Sequence, residues 1–211
     1  MQKINSINEP KILLELSRIA FKNAKELYFE ARILYFFRRF ARSLFLAQIG
    51  GEEIGKHILC ASSYSLLRAG QFNLKNFNKR IYNHVDKTML INFMEDIFLN
   101  LGVKSFSDRK NEAELLEQGK LFGLYTDIFE DNYLLLPSKV ITRQMARESV
   151  KWLKNRLKLF GRTNILKNAN SFERISDDEF KKAINKLFEK HFPELIKTDK
   201  DFLNNDSKNG V

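Results

Sequence analysis

Apolar side chains recur every three or four residues along most of this chain, the repeat of an α-helix laid against a core. From Glu9 to Arg39 the stripe is Leu13, Leu14, Ile19, Ala20, Ala24, Leu27, Tyr28, Ala31 and Leu34, and Pro10 suits a first helical turn. A turn is expected near Arg38, although neither glycine nor proline marks the place. A second helix is predicted over Ala41–Ala69, with Gly70 as its stop. A third, over Leu74–Leu101, carries Phe77, Ile81, Val85, Met89, Phe93, Ile97 and Leu101 and ends at Gly102. A polar stretch, Ser105–Asn111, precedes a fourth helix from about Glu112 to Leu124. The fifth runs from a Thr142 cap to about Phe160, with Gly161 as its stop.

Between the last two helices, Tyr125–Pro137 places β-forming residues around Glu130-Asp131-Asn132, as a small hairpin or an ordered loop would. Asn164–Phe172 reads as a linker. Ser176-Asp-Asp-Glu179 is a capping box that opens a short helix to about His191, and the polar residues after it are expected to be disordered. The organisation read from the pattern is all-α: a helical bundle over 1–165, then linker, short helix and disordered tail over 166–211.

The second helix holds Gly50, Gly51 and Gly55, each costing about 1 kcal/mol of helix propensity relative to alanine. Close approach of a neighbouring helix would justify them, and a break at Gly50-Gly51 is the competing explanation. Within this segment Glu52 and Lys56 have the spacing of a surface ion pair. Glu53 falls at the edge of the apolar stripe, beside Leu46, Ile49 and Cys60, where a carboxylate needs a partner. That partner is either a structural cation on the next helix or part of a site.

Composition narrows the classes. Nine glycines and three prolines in 211 residues are few for a turn-rich β fold. Cys60 is the only cysteine, which excludes an internal disulfide and four-ligand cysteine zinc sites. With only His57, His84 and His191 besides, no metal and no cofactor are expected. The N-terminus lacks the order of a signal peptide, and no apolar run reaches the roughly 20 residues needed to span a bilayer. The expectation is a cytoplasmic protein with no membrane partner. The formal charge is +10, and Arg143–Lys167 carries eight basic residues against one acid. Such a surface suits nucleic acid, an anionic membrane, an acidic protein or plain solvation.

Arg80, His84 and Lys87 would share one face of a continuous third helix. A histidine can move a proton near neutral pH. An arginine beside it can hold a phosphate at two points and stabilise transition-state charge. The same pattern is also that of an ordinary solvated face. In the fifth helix Arg143, Arg147, Lys151, Lys154, Arg156 and Lys158 surround a stripe of Trp152, Leu153, Leu157 and Phe160, again as a solvated face or a phosphate-binding one. No glycine-rich phosphate loop is present.

The block Ala41-Arg-Ser-Leu-Phe-Leu-Ala-Gln-Ile-Gly-Gly-Glu-Glu-Ile-Gly-Lys56 resembles the AbiV abortive-infection family of the HEPN superfamily. Ala20-Phe-Lys-Asn-Ala-Lys-Glu-Leu27, the Phe77–Lys87 segment and the Gly123–Pro137 segment are similar to that family too, over roughly residues 10–160. The resemblance implies a HEPN-like antiparallel helical bundle and a phage-defence effector that suppresses translation or RNA function. It acts on RNA or the translation machinery, with a phage-encoded activator as a further partner. Many HEPN proteins are metal-independent endoribonucleases that place Arg-x(4–6)-His from each of two subunits in one cleft. Here the motif falls on Arg80 and His84 with only three residues between; counting from Lys79 gives four, with lysine in place of arginine. On this resemblance Arg80 and His84 are the catalytic candidates. Lys79 and Lys87 anchor phosphates, Glu53 and Lys56 orient the site, and the chain is a homodimer. The alternatives are a non-catalytic protein that binds a phage or host partner, and the toxin of a toxin–antitoxin pair.

Overall fold

A computed structural model describes residues 10–68, 70–99, 106–124, 127–128 and 134–162. Its elements are α1 (Pro10–Phe36), α2 (Phe40–Arg68), α3 (Leu74–Tyr82), α4 (His84–Leu99), α5 (Phe106–Leu124), β1 (Asp127–Ile128), β2 (Leu134–Leu135), α6 (Pro137–Val140) and α7 (Arg143–Arg162). The described chain is an all-α bundle whose one β feature is the two-residue antiparallel pair Asp127↔Leu135 and Ile128↔Leu134, within the segment expected to form a hairpin or loop. The linker, the Ser176 helix and the tail lie outside the described residues.

α1 and α2 are joined by a tight turn and pack antiparallel along their length. Arg38 makes the turn by adopting φ 60°, a left-handed conformation that glycine normally takes. The Arg39 amide then donates back to Leu34 O at 2.8 Å. Gly70 does the same work after α2, with φ 72° and the Gln71 amide donating to Leu66 O at 2.9 Å. Thr142 caps α7 as expected, accepting from the Met145 amide at 3.2 Å.

α2 is the axis of the fold, with α1, α4, α5 and α7 around it. The main core joins Ala24 and Ala31 of α1, Ala47, Ile54 and Ile58 of α2, Ile91 of α4, and Leu153 and Phe160 of α7. A second cluster, at the other end of α2, gathers Leu13, Leu14, Leu59, Cys60, Tyr64 and Phe77. The glycines of α2 are its contact points and the helix does not break there. A Cβ on Gly50 would meet Leu153 of α7 at 2.6 Å, one on Gly51 would collide with the Trp152 ring, and one on Gly55 would lie 2.5 Å from the Lys87 carbonyl oxygen of α4.

Three expectations are corrected. The third helix is two: Asn83 leaves helical geometry (φ −85°, ψ 116°), ending α3 with its amide on Arg80 O. Its side chain then caps α4 by accepting from the Asp86 amide at 3.1 Å. α5 begins at Phe106 rather than near Glu112, because Arg109 anchors its first turns on Asp96 at 3.3 Å and over the Phe93 ring at 4.7 Å. Gly161 lies inside α7, which runs on to Arg162.

Candidate functional site

Glu52 is buried at mid-length of α2, where an unpaired carboxylate would be costly. Four neighbouring groups define its surroundings. His84, the first residue of α4, donates Nδ1–H to Glu52 Oε2. Lys87, one turn on, puts Nζ 3.5 Å from the same oxygen. Lys120 of α5 donates to Oε1 at 2.6 Å and reaches Glu117 at 2.6 Å as well. The spacing in α2 explains the arrangement. Gly55 lies one turn beyond Glu52, and its missing side chain lets the α4 backbone close on α2, which carries His84 and Lys87 onto the carboxylate.

The electrostatics follow from this geometry. Burial alone would raise the Glu52 pKa, but the hydrogen bonds from Lys120 and His84 and the charge of Lys120 outweigh it and hold the carboxyl below its ordinary value. Burial pushes Lys87 down, and Glu52 at the longer separation only partly offsets that. Lys120 is raised: burial opposes its charge, and its hydrogen bonds to Glu117 and Glu52 more than compensate. Glu52 and both lysines are buried, whereas the His84 side chain is 50% exposed. With Nδ1–H committed to Glu52, the neutral ring has one tautomer, with Nε2 as its acceptor nitrogen.

The sequence candidates fall on different elements. Arg80 and Lys79 are exposed in the last turn of α3, on the far side of the Asn83 break from His84. The continuous face expected for Arg80, His84 and Lys87 therefore does not exist. Lys87 is buried against Glu52, so its ammonium is committed to that carboxylate. Glu53 and Lys56 pair with each other, and it is Glu52, read from sequence as a surface partner of Lys56, that meets His84. Helical periodicity does not announce this, because most of α2 is covered at this level: Gly51, Glu52, Ile54 and Gly55 are buried, and Glu53 and Lys56 are half-buried. Lys120 was missed as well. Its only sequence signal is the Glu117–Lys120 spacing, which is that of many surface pairs.

Two other polar groups are structural. His57 is buried against Ser17, its Nδ1 lying 2.8 Å from Oγ and 3.1 Å from the backbone oxygen. Burial lowers its pKa, and the backbone hydrogen bond only partly restores it, so the ring is neutral. Arg156 of α7 is buried, stacked on Trp152 at 4.0 Å and paired with Glu95. Arg143, Arg147, Lys151, Lys154 and Lys158 are the exposed cations of that helix. Ligand atoms of Glu52, His84 and Glu117 lie within 4.8 Å of one another. The Lys120 ammonium stands between the two carboxylates and supplies the charge a metal would bring.

Beside Glu52 a cavity of about 470 Å³ opens between α2, α5 and α7. Leu44, Leu115, Leu116, Met145 and Trp152 make its apolar walls, with Gln48, Thr88, Ser149 and three carboxylates among the polar groups.

The sequence model of the AbiV family of HEPN proteins matches residues 12–158, which takes in α1 to α7 but for the ends. The chain belongs to the AbiV family. No curated protein and no solved structure matches it. In this AbiV-family chain the Glu-Glu-Ile-Gly-Lys block has a physical reading: Glu52 is the charge hub, Ile54 is core, Gly55 admits α4, and Glu53 and Lys56 close a pair beside it. Among the described residues no helix is long and apolar enough to cross a membrane.

Proposed function

We propose that this AbiV-family protein is an abortive-infection effector that suppresses translation in a phage-infected cell by metal-independent cleavage of RNA. The observation that carries the reading is the Glu52–His84 pair, in which a buried carboxylate holds a half-exposed imidazole by Nδ1. That is the arrangement of an oriented general base. His84 Nε2 takes the proton from a ribose 2′-hydroxyl, whose oxygen attacks the adjacent phosphorus. The bond from phosphorus to the 5′-oxygen breaks, and that oxygen leaves with a proton. The products are a 2′,3′-cyclic phosphate and a 5′-hydroxyl.

One histidine can serve as base and, once protonated, as acid. A homodimer would supply a second His84, so that one gives a proton while the other takes one. Arg80 and Lys79, exposed at the end of α3, are the cations offered to phosphates, and the exposed face of α7 extends the basic surface. A phage-encoded protein is the proposed activator.

The test is cleavage of total cellular RNA by the purified full chain in EDTA, with and without extract of infected cells. Cleavage with 2′,3′-cyclic phosphate ends, lost in His84→Ala, is the expected result. Growth arrest that survives in His84→Ala would move the function to a protein that binds its target without cutting it.

A further inference from the structure

The cavity next to Glu52 has a selective lining. Its volume, about 470 Å³, falls in the roughly 300–1,000 Å³ range of small-ligand sites. The Trp152 indole is part of the wall and carries the Arg156 guanidinium 4.0 Å from its ring centroid, and an indole is a surface on which a flat ring can stack. Three carboxylates, Glu52, Glu117 and Glu148, line the cavity against one ammonium, Lys120, which is paired with the first two, so the lining is net acidic and disfavours a phosphate. Gln48 lines the cavity too, and its Oε1 is buried without a partner among the described residues; a turn of the carboxamide would bring that acceptor to a donating ligand. Glu52 joins the two places: its Oε2 holds His84, and its side chain lines the cavity.

We infer that this cavity is a nucleobase pocket, taking an unstacked base with an exocyclic amine while its phosphates stay outside near His84. The inference rests on the RNA-directed reading above and names the part of the substrate that it recognises. The base stacks on Trp152, and its amine donates to the Gln48 carboxamide, which can turn to present its oxygen. Acidic groups around the cavity favour a donor-rich edge and keep the backbone at the rim. Cytosine therefore binds better than uracil, which has a carbonyl where cytosine has its amine.

Trp152 is the only tryptophan in the chain, so its emission reports on the pocket directly. The measurement uses the full chain carrying His84→Ala, which removes cleavage, titrated with the trinucleotides CpCpC and UpUpU. Saturable quenching is expected with CpCpC, with UpUpU weaker by about tenfold or more. Gly119→Leu, which grows a side chain into the cavity from α5, abolishes it. Gln48→Leu keeps the quenching and removes the preference. No quenching, quenching unaffected by Gly119→Leu, or equal affinity for the two trinucleotides overturns the pocket. Because binding is read without cleavage, quenching in a protein that never cuts RNA would leave the pocket standing and end the nuclease reading. Cleavage without quenching would do the reverse.

Discussion

His84 and Glu52 are 32 residues apart in the chain and joined by a hydrogen bond from Nδ1 to Oε2, across the line where α4 packs on α2. That contact exists because Gly55 has no side chain to hold α4 away and because Asn83 ends one helix and starts the next immediately before His84.

Glu52 is also a structural residue. Removing its charge leaves Lys87 and Lys120, each with a side chain only 6% exposed, without their shared counter-ion. Glu52→Ala is expected to lower unfolding stability by about 3–5 kcal/mol, the usual cost of breaking a buried pair. Glu52→Gln, which keeps the shape and some hydrogen bonding, should cost less. Urea denaturation at pH 7 measures both, and a loss under about 1 kcal/mol for alanine would contradict a buried pair.

Acid should weaken the fold in two stages. His57 has a folded pKa below its ordinary 6.5, so an unfolded chain binds its proton first. The stability it contributes is whole above pH 6.5 and falls as pH drops below that. Glu52 has a folded pKa below 4.5, so its contribution is whole above pH 4.5 and falls below it. Thermal melts from pH 7.5 to 4 should show the first loss beginning near pH 6.5, and His57→Gln should flatten that part of the curve. An unchanged profile in the variant would place the first loss elsewhere.

The glycines of α2 should not be equivalent. A Cβ at Gly55 meets a backbone oxygen at 2.5 Å, whereas one at Gly50 meets the tip of the Leu153 side chain at 2.6 Å. A side chain can turn aside and a carbonyl cannot. Gly55→Ala is expected to cost about 1–3 kcal/mol and to pull His84 from Glu52, while Gly50→Ala costs less. Denaturation and the His84 ring resonances, compared between the two variants, would reveal the difference. Equal effects would count against the α2–α4 contact.

Much of the bundle was legible in the sequence. The stripes of α1, α2 and α7, the Gly70 stop and the Thr142 cap each follow from side chains within one or two turns of one another. The Asn83 break was not, since the apolar stripe continues in register through Phe77, Ile81, Val85 and Met89 and nothing but a capping asparagine interrupts it. The site was legible only in part. His84 stands out by its chemistry, but periodicity puts Glu53 at the apolar edge and Glu52 on the surface, because it presumes that a helix has an outside. At Glu52 α2 is covered on most sides, and Lys120 arrives from 68 residues away with no local pattern to announce it.

Cys60 should be inert while the protein is folded. It is fully buried in the Leu13–Tyr64 cluster, and burial pushes its thiol up to about 12, so the reactive thiolate is scarce at neutral pH. Iodoacetamide at pH 8 should label the chain only after denaturation. Rapid labelling of the native protein would mean that the α1–α2 end of the core opens readily.

The most direct test of the account is a double-mutant comparison of RNA cleavage in EDTA by the wild type, His84→Ala, Glu52→Gln and the double variant, each first shown to be folded by circular dichroism. If Glu52 works through His84, Glu52→Gln slows cleavage, His84→Ala abolishes it, and the double variant is no slower than His84→Ala alone. Full cleavage by His84→Ala, or undiminished cleavage by folded Glu52→Gln, would contradict a working Glu52–His84 pair.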